Sequence, residues 1–306
     1  MGTNEKARIR KAQIKRNRII IVGIVLIGLI CAAFGYFGRS DNGVIDTTGE
    51  GIMRVTFLDV GQGDCEFIEC DGVNILIDGG EAANADFVLT FLKSRGVTKL
   101  DYYFVSHPHS DHMGAASVII DSIPVDRFVT TDFSELNMPT SKVYENMLDS
   151  LERQPECDVV TVKAGDAFEI GELRLNVLAP FEETSDYNNM SIVLRVDYGD
   201  TRFLFTGDAE KSVEKQMLDS GSDVKANVLK VAHHGSKTST GAEFIKAVSP
   251  ELAVISCGAG NSYGHPHKET TELLERCSIT YFRTDQDGTV TVYSDGKQVS
   301  AQKNAA

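Results

Sequence analysis

The chain has 306 residues, 42% of them hydrophobic and only 7 of them proline, which excludes a disordered or collagen-like polypeptide and allows a large buried core. Its formal charge is −14; residues 1–18 hold seven Lys or Arg against one acid, so removing their net +6 leaves −20 on residues 19–306. A domain that acidic is poorly suited to tight, non-specific binding of nucleic acid through a broad basic surface.

After the basic segment 1–18, Ile19 to Gly38 runs twenty residues without a charge. As a helix this covers about 30 Å, the thickness of a bilayer core, and the basic flank predicts a cytoplasmic N-terminus. A cleaved signal peptide fits less well because the run exceeds the usual apolar core of such a signal. A lipoprotein signal would want a small residue before Cys31, where Ile30 stands. The expectation is an uncleaved anchor at 19–38, a polar glycine-containing tether at 39–51, one folded domain over 52–299 and a tail at 300–306.

The domain opens with strand-length apolar runs at Met53–Leu58, Cys65–Glu69 and Val73–Ile77, with Asp71-Gly72 predicting a hairpin between the last two. A helix is predicted over Ala83–Arg95, closed by Gly96, and then a strand over Leu100–Val105. A further helix (Ser141–Arg153) and two strands (Val159–Val162, Leu173–Leu178) follow. The second half repeats the alternation. Its strands are Ser191–Val196, Thr201–Phe205, Asn227–Val231, Leu252–Ile255, Ile279–Phe282 and Thr289–Tyr293. Its helices are Glu210–Asp219, Gly241–Ala247 and Lys268–Arg276. Two similar halves predict two packed sheets with helices outside, an α/β sandwich. Cys65, Cys70, Cys157, Cys257 and Cys277 form no C-x-x-C pair, so no zinc ribbon is predicted, and most are expected in the core.

Three strand ends carry chemistry. His107-Pro108-His109-Ser110-Asp111-His112 packs three of the chain's 7 histidines and a carboxylate into six residues, the nitrogen and oxygen donors that zinc, manganese and iron take. Thr206-Gly207-Asp208 ends another strand with a carboxylate, and His233-His234-Gly235-Ser236-Lys237 ends a third with two imidazoles. Asp208 and the histidine pair could thus converge with the first cluster. Gly61, Gln62 and Gly63 read as a backbone turn and not a phosphate cradle, with Gln62 and Asp64 at the pocket rim. Ser236, Lys237, Thr238, Ser239, His265 and His267 offer donors that could clamp a phosphate or move a proton.

H-x-H-x-D-H, the strand-terminal aspartate and the later histidine resemble the metallo-β-lactamase superfamily over roughly Met53 to Tyr293. The resemblance implies a four-layer αβ/βα sandwich holding two divalent metal ions, Zn²⁺ or Mn²⁺. His107 and His109 would hold one ion, Asp111 and His112 the other, Asp208 would bridge them, and His233 or His234, with His234 favoured, would complete the second site. Asp78 would be the family's early aspartate, which orients the histidine loop. The family's additional histidine, on a loop before the bridging aspartate, is missing here; Tyr187-Asn188-Asn189-Met190-Ser191 stands in its place, with Asn188 and Ser191 as the polar groups offered. An amide oxygen is a harder ligand than imidazole and admits manganese as readily as zinc.

The combination of Asp59-Val60-Gly61-Gln62-Gly63-Asp64, N-N-x-S, T-G-D-A, H-H-G-S-K and Tyr263-Gly264-His265-Pro266-His267 is further similar to the soluble domain of ComEC-type competence proteins, which translocate DNA. It implies metal-dependent phosphodiester hydrolysis on DNA outside the cytoplasm, a reaction that two cations suit because they activate water and neutralise phosphate charge. Two other functions compete: a cell-surface phosphorylcholine esterase or small phosphodiesterase, and a non-catalytic metal-dependent factor of a DNA-uptake or envelope complex.

Overall fold

The computed structural model describes Ile45, Thr47 and residues 51–303. The predicted basic segment and membrane anchor, and most of the tether, lie outside the described residues. No helix among the described residues is long and apolar enough to cross a membrane.

The first sheet orders its strands as β15 (Val299–Lys303), β14 (Val290–Ser294), β1 (Met53–Phe57), β2 (Cys65–Cys70), β3 (Val73–Asp78), β4 (Leu100–Phe104), β5 (Val125–Thr131) and β6 (Asp158–Val162). The second runs β13 (Thr280–Arg283), β12 (Leu252–Ile255), β11 (Val228–Lys230), β10 (Thr201–Phe205), β9 (Val193–Tyr198), β8 (Leu173–Ala179) and β7 (Ala167–Ile170). Each sheet is antiparallel on one side and parallel on the other: β3 to β6 pair parallel in the first, β10 to β13 in the second. Asp71 and Gly72 both take positive φ, the turn that joins β2 and β3 with the right twist.

Alternation along the strands sets the layers. On β3, Ile75 and Ile77 face the core shared with Leu194, Val196, Phe203 and Val254 of the second sheet. Leu76 faces the other way, into a cluster with Val88, Leu89 and Leu92 of helix α1 (Ala85–Ser94). The remaining long helix there is α4 (Lys142–Arg153), begun by Ser141, whose Oγ accepts the Tyr144 N–H. In the second sheet, Leu204, Leu229 and Ala253 face α5 (Lys211–Asp219), α6 (Ala242–Val248) and α7 (Lys268–Arg276). Helices outside, sheets face to face inside, gives an αβ/βα sandwich.

Some elements differ from the sequence reading. Short helices α2 (Ser110–Met113) and α3 (Ala116–Ser122) and strand β5 are unforeseen, because a short apolar run such as Val118-Ile119-Ile120 reads as either type. Edge strands β7 and β15 are also unforeseen. In β15, Val299 and Ala301 alternate toward the core from a strand that is otherwise half-buried to exposed, and residues 300–303 form a strand where a tail was expected. All five described cysteines are free, with Cys65, Cys70 and Cys257 buried.

Glu214 on α5 is buried and accepts the backbone N–H groups of Thr240 and of Gly241 at 2.8 Å, tying the start of α6 to α5. Burial pushes its carboxyl up to about 7 from 4.5. Between those values the folded chain keeps a proton that the unfolded chain has shed, so this contribution is full below about pH 4.5 and is lost as pH rises through 7. Both carboxyl oxygens accept an N–H and an amide can accept only one, so the pH dependence and not the absolute midpoint is the readout: the urea midpoint of wild type is expected to fall between about pH 5 and pH 8 more than that of Glu214→Gln. An equal fall in both would take Glu214 out of this pH dependence.

Candidate metal centre

The parallel strands of both sheets end at the same edge of the sandwich. From β4 the chain passes through Ser106 and His107 into α2, which carries Asp111 and His112 and has His109 as its N-cap. From β10 it turns through Thr206-Gly207 to Asp208, and from β11 through a 3-10 turn, Ala232–Gly235, that carries His233 and His234. Both of those histidines sit in the left-handed region, at φ 52° and 53°, a conformation uncommon outside glycine. It turns two adjacent imidazoles toward the same carboxylate.

Two sets of donor atoms meet at Asp208. On one side, His112 Nε2 lies 3.3 Å from His234 Nε2 and 3.2 Å from Asp208 Oδ1. His234 Nε2 lies 3.5 Å from that oxygen and 3.3 Å from Asp111 Oδ2, and His112 Nε2 is 4.0 Å from Asp111 Oδ2. Ligands held tetrahedrally at zinc distances stand about 3.3–3.4 Å apart, so His112, His234 and Asp208 have the spacing of donors to one ion, with Asp111 beside His234. On the other side, His107 Nε2 is 3.0 Å from His109 Nδ1 and 3.8 Å from Asp208 Oδ2. His233 Nε2 approaches the same Oδ2 at 3.7 Å. The donors fit two divalent cations sharing Asp208, and His234, not His233, belongs to the side of Asp111 and His112.

Asp64 lies within 4.8 Å of the donors of His112, Asp208 and His234. Yet it meets the imidazoles from behind, at 3.6 Å from His112 Nδ1 and 3.3 Å from His234 Nδ1, so Asp111 is the carboxylate that faces their Nε2 atoms. Those Nδ1 positions are already engaged: His112 Nδ1 donates to Asp78 Oδ2 at 2.8 Å and His234 Nδ1 to the Ser256 carbonyl at 2.9 Å. These bonds fix the tautomers and turn both Nε2 atoms to the cluster.

Asp78 therefore stands behind the ring and not among the converging atoms. It also accepts the Ser106 N–H and Oγ–H, each at 2.7 Å. Ser191 likewise supports the cluster from outside: its Oγ accepts the Asp208 N–H at 3.0 Å and lies 3.4 Å from His107 Nδ1. Asn188 lies three residues before it, in a 3-10 turn, with Oδ1 buried and without a hydrogen-bond partner among the described residues.

Electrostatics mark the centre as anionic. Burial opposes charge on His112 and His234, but the carboxylates of Asp208, Asp64 and their neighbours outweigh it, holding His112 well above the ordinary range and lifting His234 to about 10. Burial would raise Asp208, yet His112, His234 and His107 hold it well below the usual carboxylate range. Burial together with the adjacent His112 keeps His107 neutral, with its pKa pushed well down. A pocket that draws protons this strongly onto imidazoles offers the same attraction to cations.

The outer loops interlock beside it. Gly235, at φ +82°, leaves no room for a side chain, since a Cβ there would stand 2.5 Å from Pro266 Cβ. The Gly235 carbonyl accepts the His267 N–H at 3.0 Å, and the Lys237 N–H donates to His267 Nδ1 at 3.1 Å. His265 stacks on Tyr263 and its ring centre is 5.5 Å from that of His233; burial and the neighbouring His234 and His233 push it down to about 4. Lys237 is exposed. On the opposite wall, Gly63 lies so close to α2 that a Cβ would stand 2.2 Å from the Asp111 carbonyl, and the Asp64 N–H donates to that carbonyl at 3.1 Å.

Asp64 is 1% exposed, so it is not the rim residue that the sequence suggested. Its partner is Lys230 at the end of β11, equally buried and unforeseen. The available signal was a lysine inside the apolar run Val228-Leu229-Lys230-Val231 directly before the histidine pair.

Comparisons with known proteins agree with this architecture. ComE operon protein 3 of Bacillus subtilis is 34% identical over 78% of the chain and 32% of its own length. Competence protein ComA of Neisseria gonorrhoeae is 29% identical over 83% of the chain and 34% of its own. The chain thus spans about a third of the length of these curated relatives. Among solved structures, the metallo-β-lactamase fold protein YhfI of Bacillus subtilis aligns with a TM-score of 0.51 at 14% identity, over 76% of this chain and 95% of that one. The family model for the metallo-β-lactamase superfamily matches residues 58–259, and the chain belongs to that superfamily.

Proposed function

We propose that this chain is a membrane-anchored, metal-dependent phosphodiester hydrolase acting on DNA outside the cytoplasm. The observation that carries the reading is the pair of donor sets meeting on the two oxygens of Asp208. In it His107 and His109 would hold one ion and Asp111, His112 and His234 the other, with Asp208 between the two sets and the unpartnered Asn188 Oδ1 offered where the family's additional histidine is missing. When bound, two divalent cations supply a water activated at neutral pH and positive charge against phosphate oxygens. Manganese and zinc both suit this mixed donor set.

The chain's own residues then have distinct work. Asp78 and the Ser256 carbonyl hold His112 and His234 in one tautomer, and Ser191 fixes the Asp208 backbone. Lys237, exposed beside the centre, is placed to meet a phosphate as a point charge. His265 is neutral at physiological pH, which suits it to a hydrogen bond with a leaving oxygen, with His267 holding the backbone of the Lys237 loop. The −20 of residues 19–306 implies that DNA affinity is modest and local to these groups. The DNA substrate is favoured by the competence proteins among the relatives. Anchoring rests on the apolar run Ile19–Gly38 and its basic flank, which favour an N-terminus in the cytoplasm and a domain beyond the membrane.

One observation favours a phosphorylcholine ester as the alternative substrate. A cavity of about 340 Å³ at the ends of β5 and β6 is lined by Asp132, Asp166, Glu182 and Glu183 against one cation, Lys163, together with Phe168 and Phe181. Acidic and aromatic walls suit a quaternary ammonium group.

The full-length protein in mild detergent, with and without His109→Ala, should be assayed on single- and double-stranded DNA and on p-nitrophenyl-phosphorylcholine with added Mn²⁺ or Zn²⁺. The expected result is DNA cleavage that falls at least about 100-fold in the variant, the order of loss typical when a catalytic electrostatic group is removed. Turnover of the choline ester alone would move the assignment to that esterase, and bound metal without turnover would favour a binding factor. Asp78→Ala, which frees His112 without removing a donor, is expected to weaken Mn²⁺ or Zn²⁺ binding by about 10–100-fold in equilibrium titrations. An unchanged affinity would remove Asp78 from the account.

A further inference from the structure

Beneath the centre lies a group of charges that the reaction itself does not use. Lys230, on the second sheet, is 1% exposed and forms an ion pair with Asp64 of the loop between β1 and β2, also 1% exposed. Its Nζ also donates to the Gly207 carbonyl at 3.2 Å, one residue from Asp208. Asp64 in turn reaches the back of His112 and of His234. Nearby Glu66 is buried with Oε1 unpartnered among the described residues, and burial with the Asp64 charge beside it pushes its carboxyl well up. The ion pair that Lys230 makes is with Asp64.

A buried ion pair is poor evidence for stability, because desolvation cancels most of its attraction. Its connections are more informative. One end touches the turn that presents Asp208, the other the rear of two imidazoles from different sheets. We propose that Lys230 and Asp64 are positioning residues of the metal centre, fixing the Asp208 turn relative to His112 and His234. The inference rests on the metal-centre reading above. In this arrangement Lys230 also cancels the charge of Asp64, leaving Asp78, Asp111 and Asp208 as the carboxylates set against the cations. Without the pair, the turn and the two rings lose their common support and the donor spacings widen.

The pair can be tested apart from mere folding. Replacing both partners by uncharged groups of similar size, Lys230→Met with Asp64→Asn, removes the interaction without leaving a buried charge unpaired. Full-length wild type and double variant should be compared by thermal melting without metal and by titration with Mn²⁺, read as the loss of the free-ion electron paramagnetic resonance signal, and with Zn²⁺. We expect a cooperative melt near that of wild type and metal binding weaker by about tenfold or more, as for other groups behind metal ligands.

Wild-type affinity in the folded double variant would overturn the proposal. Should the double variant fail to fold, Lys230→Met alone carries the test: it leaves Asp64 negative, which by charge alone would favour a cation, so a folded chain with weakened metal binding supports positioning, and unchanged or tighter binding overturns it. Loss of fold in both would overturn it as well, since the pair would then be part of the scaffold. A wild-type chain that takes up neither ion would remove the metal centre itself, an outcome distinct from equal binding by wild type and variant.

Discussion

The two oxygens of Asp208 face different histidines, and the arrangement of the whole edge follows from that. Oδ1 looks to His112 and His234, Oδ2 to His107 and His233. One carboxylate can serve both sets only if β4 and β10, which belong to different sheets, deliver their chain ends to the same place. The sandwich does this by packing the two sheets over a shared apolar core, with Phe57 and Phe205 in ring contact at 6.1 Å. Glycines then let the loops close in: Gly63 against α2 and Gly235 against Pro266.

Concentrating carboxylates and imidazoles in a buried space is costly unless each charge has a partner. Here the partners come in layers. Asp78 and the Ser256 carbonyl take the outward nitrogens of His112 and His234, Ser191 takes the Asp208 N–H, and Lys230 takes Asp64. What remains facing inward is a set of acceptor atoms that suits hard or borderline cations. The left-handed backbone at His233 and His234 belongs to the same economy, since strain of this kind persists where surrounding structure holds it.

Much of this was legible in the sequence because it depends on local spacing. H-P-H-S-D-H after the β4 strand, the T-G-D turn and the H-H pair each announce themselves within a few residues, and the Asp71-Gly72 hairpin is also a local signal. The role of Asp78 followed from the family resemblance and matches its bond to His112. What the sequence could not supply depended on distance along the chain. Asp64 and Lys230 are 166 positions apart, and neither neighbourhood reveals the other. Asp64 looked like a polar loop residue, and Lys230 was a single charge in an apolar strand. That His234 and not His233 lies beside Asp111 and His112 depends on distances across the fold that no spacing rule provides, and β15 is a short, partly exposed edge strand.

The most direct test of the account is anomalous diffraction from crystals of the protein grown with Mn²⁺ or Zn²⁺, collected at the edge of the added metal. The account predicts two peaks flanking Asp208, one among Asp111, His112 and His234 and the other beside His107 and His109. A lone peak away from Asp208, or none after soaking, would contradict it.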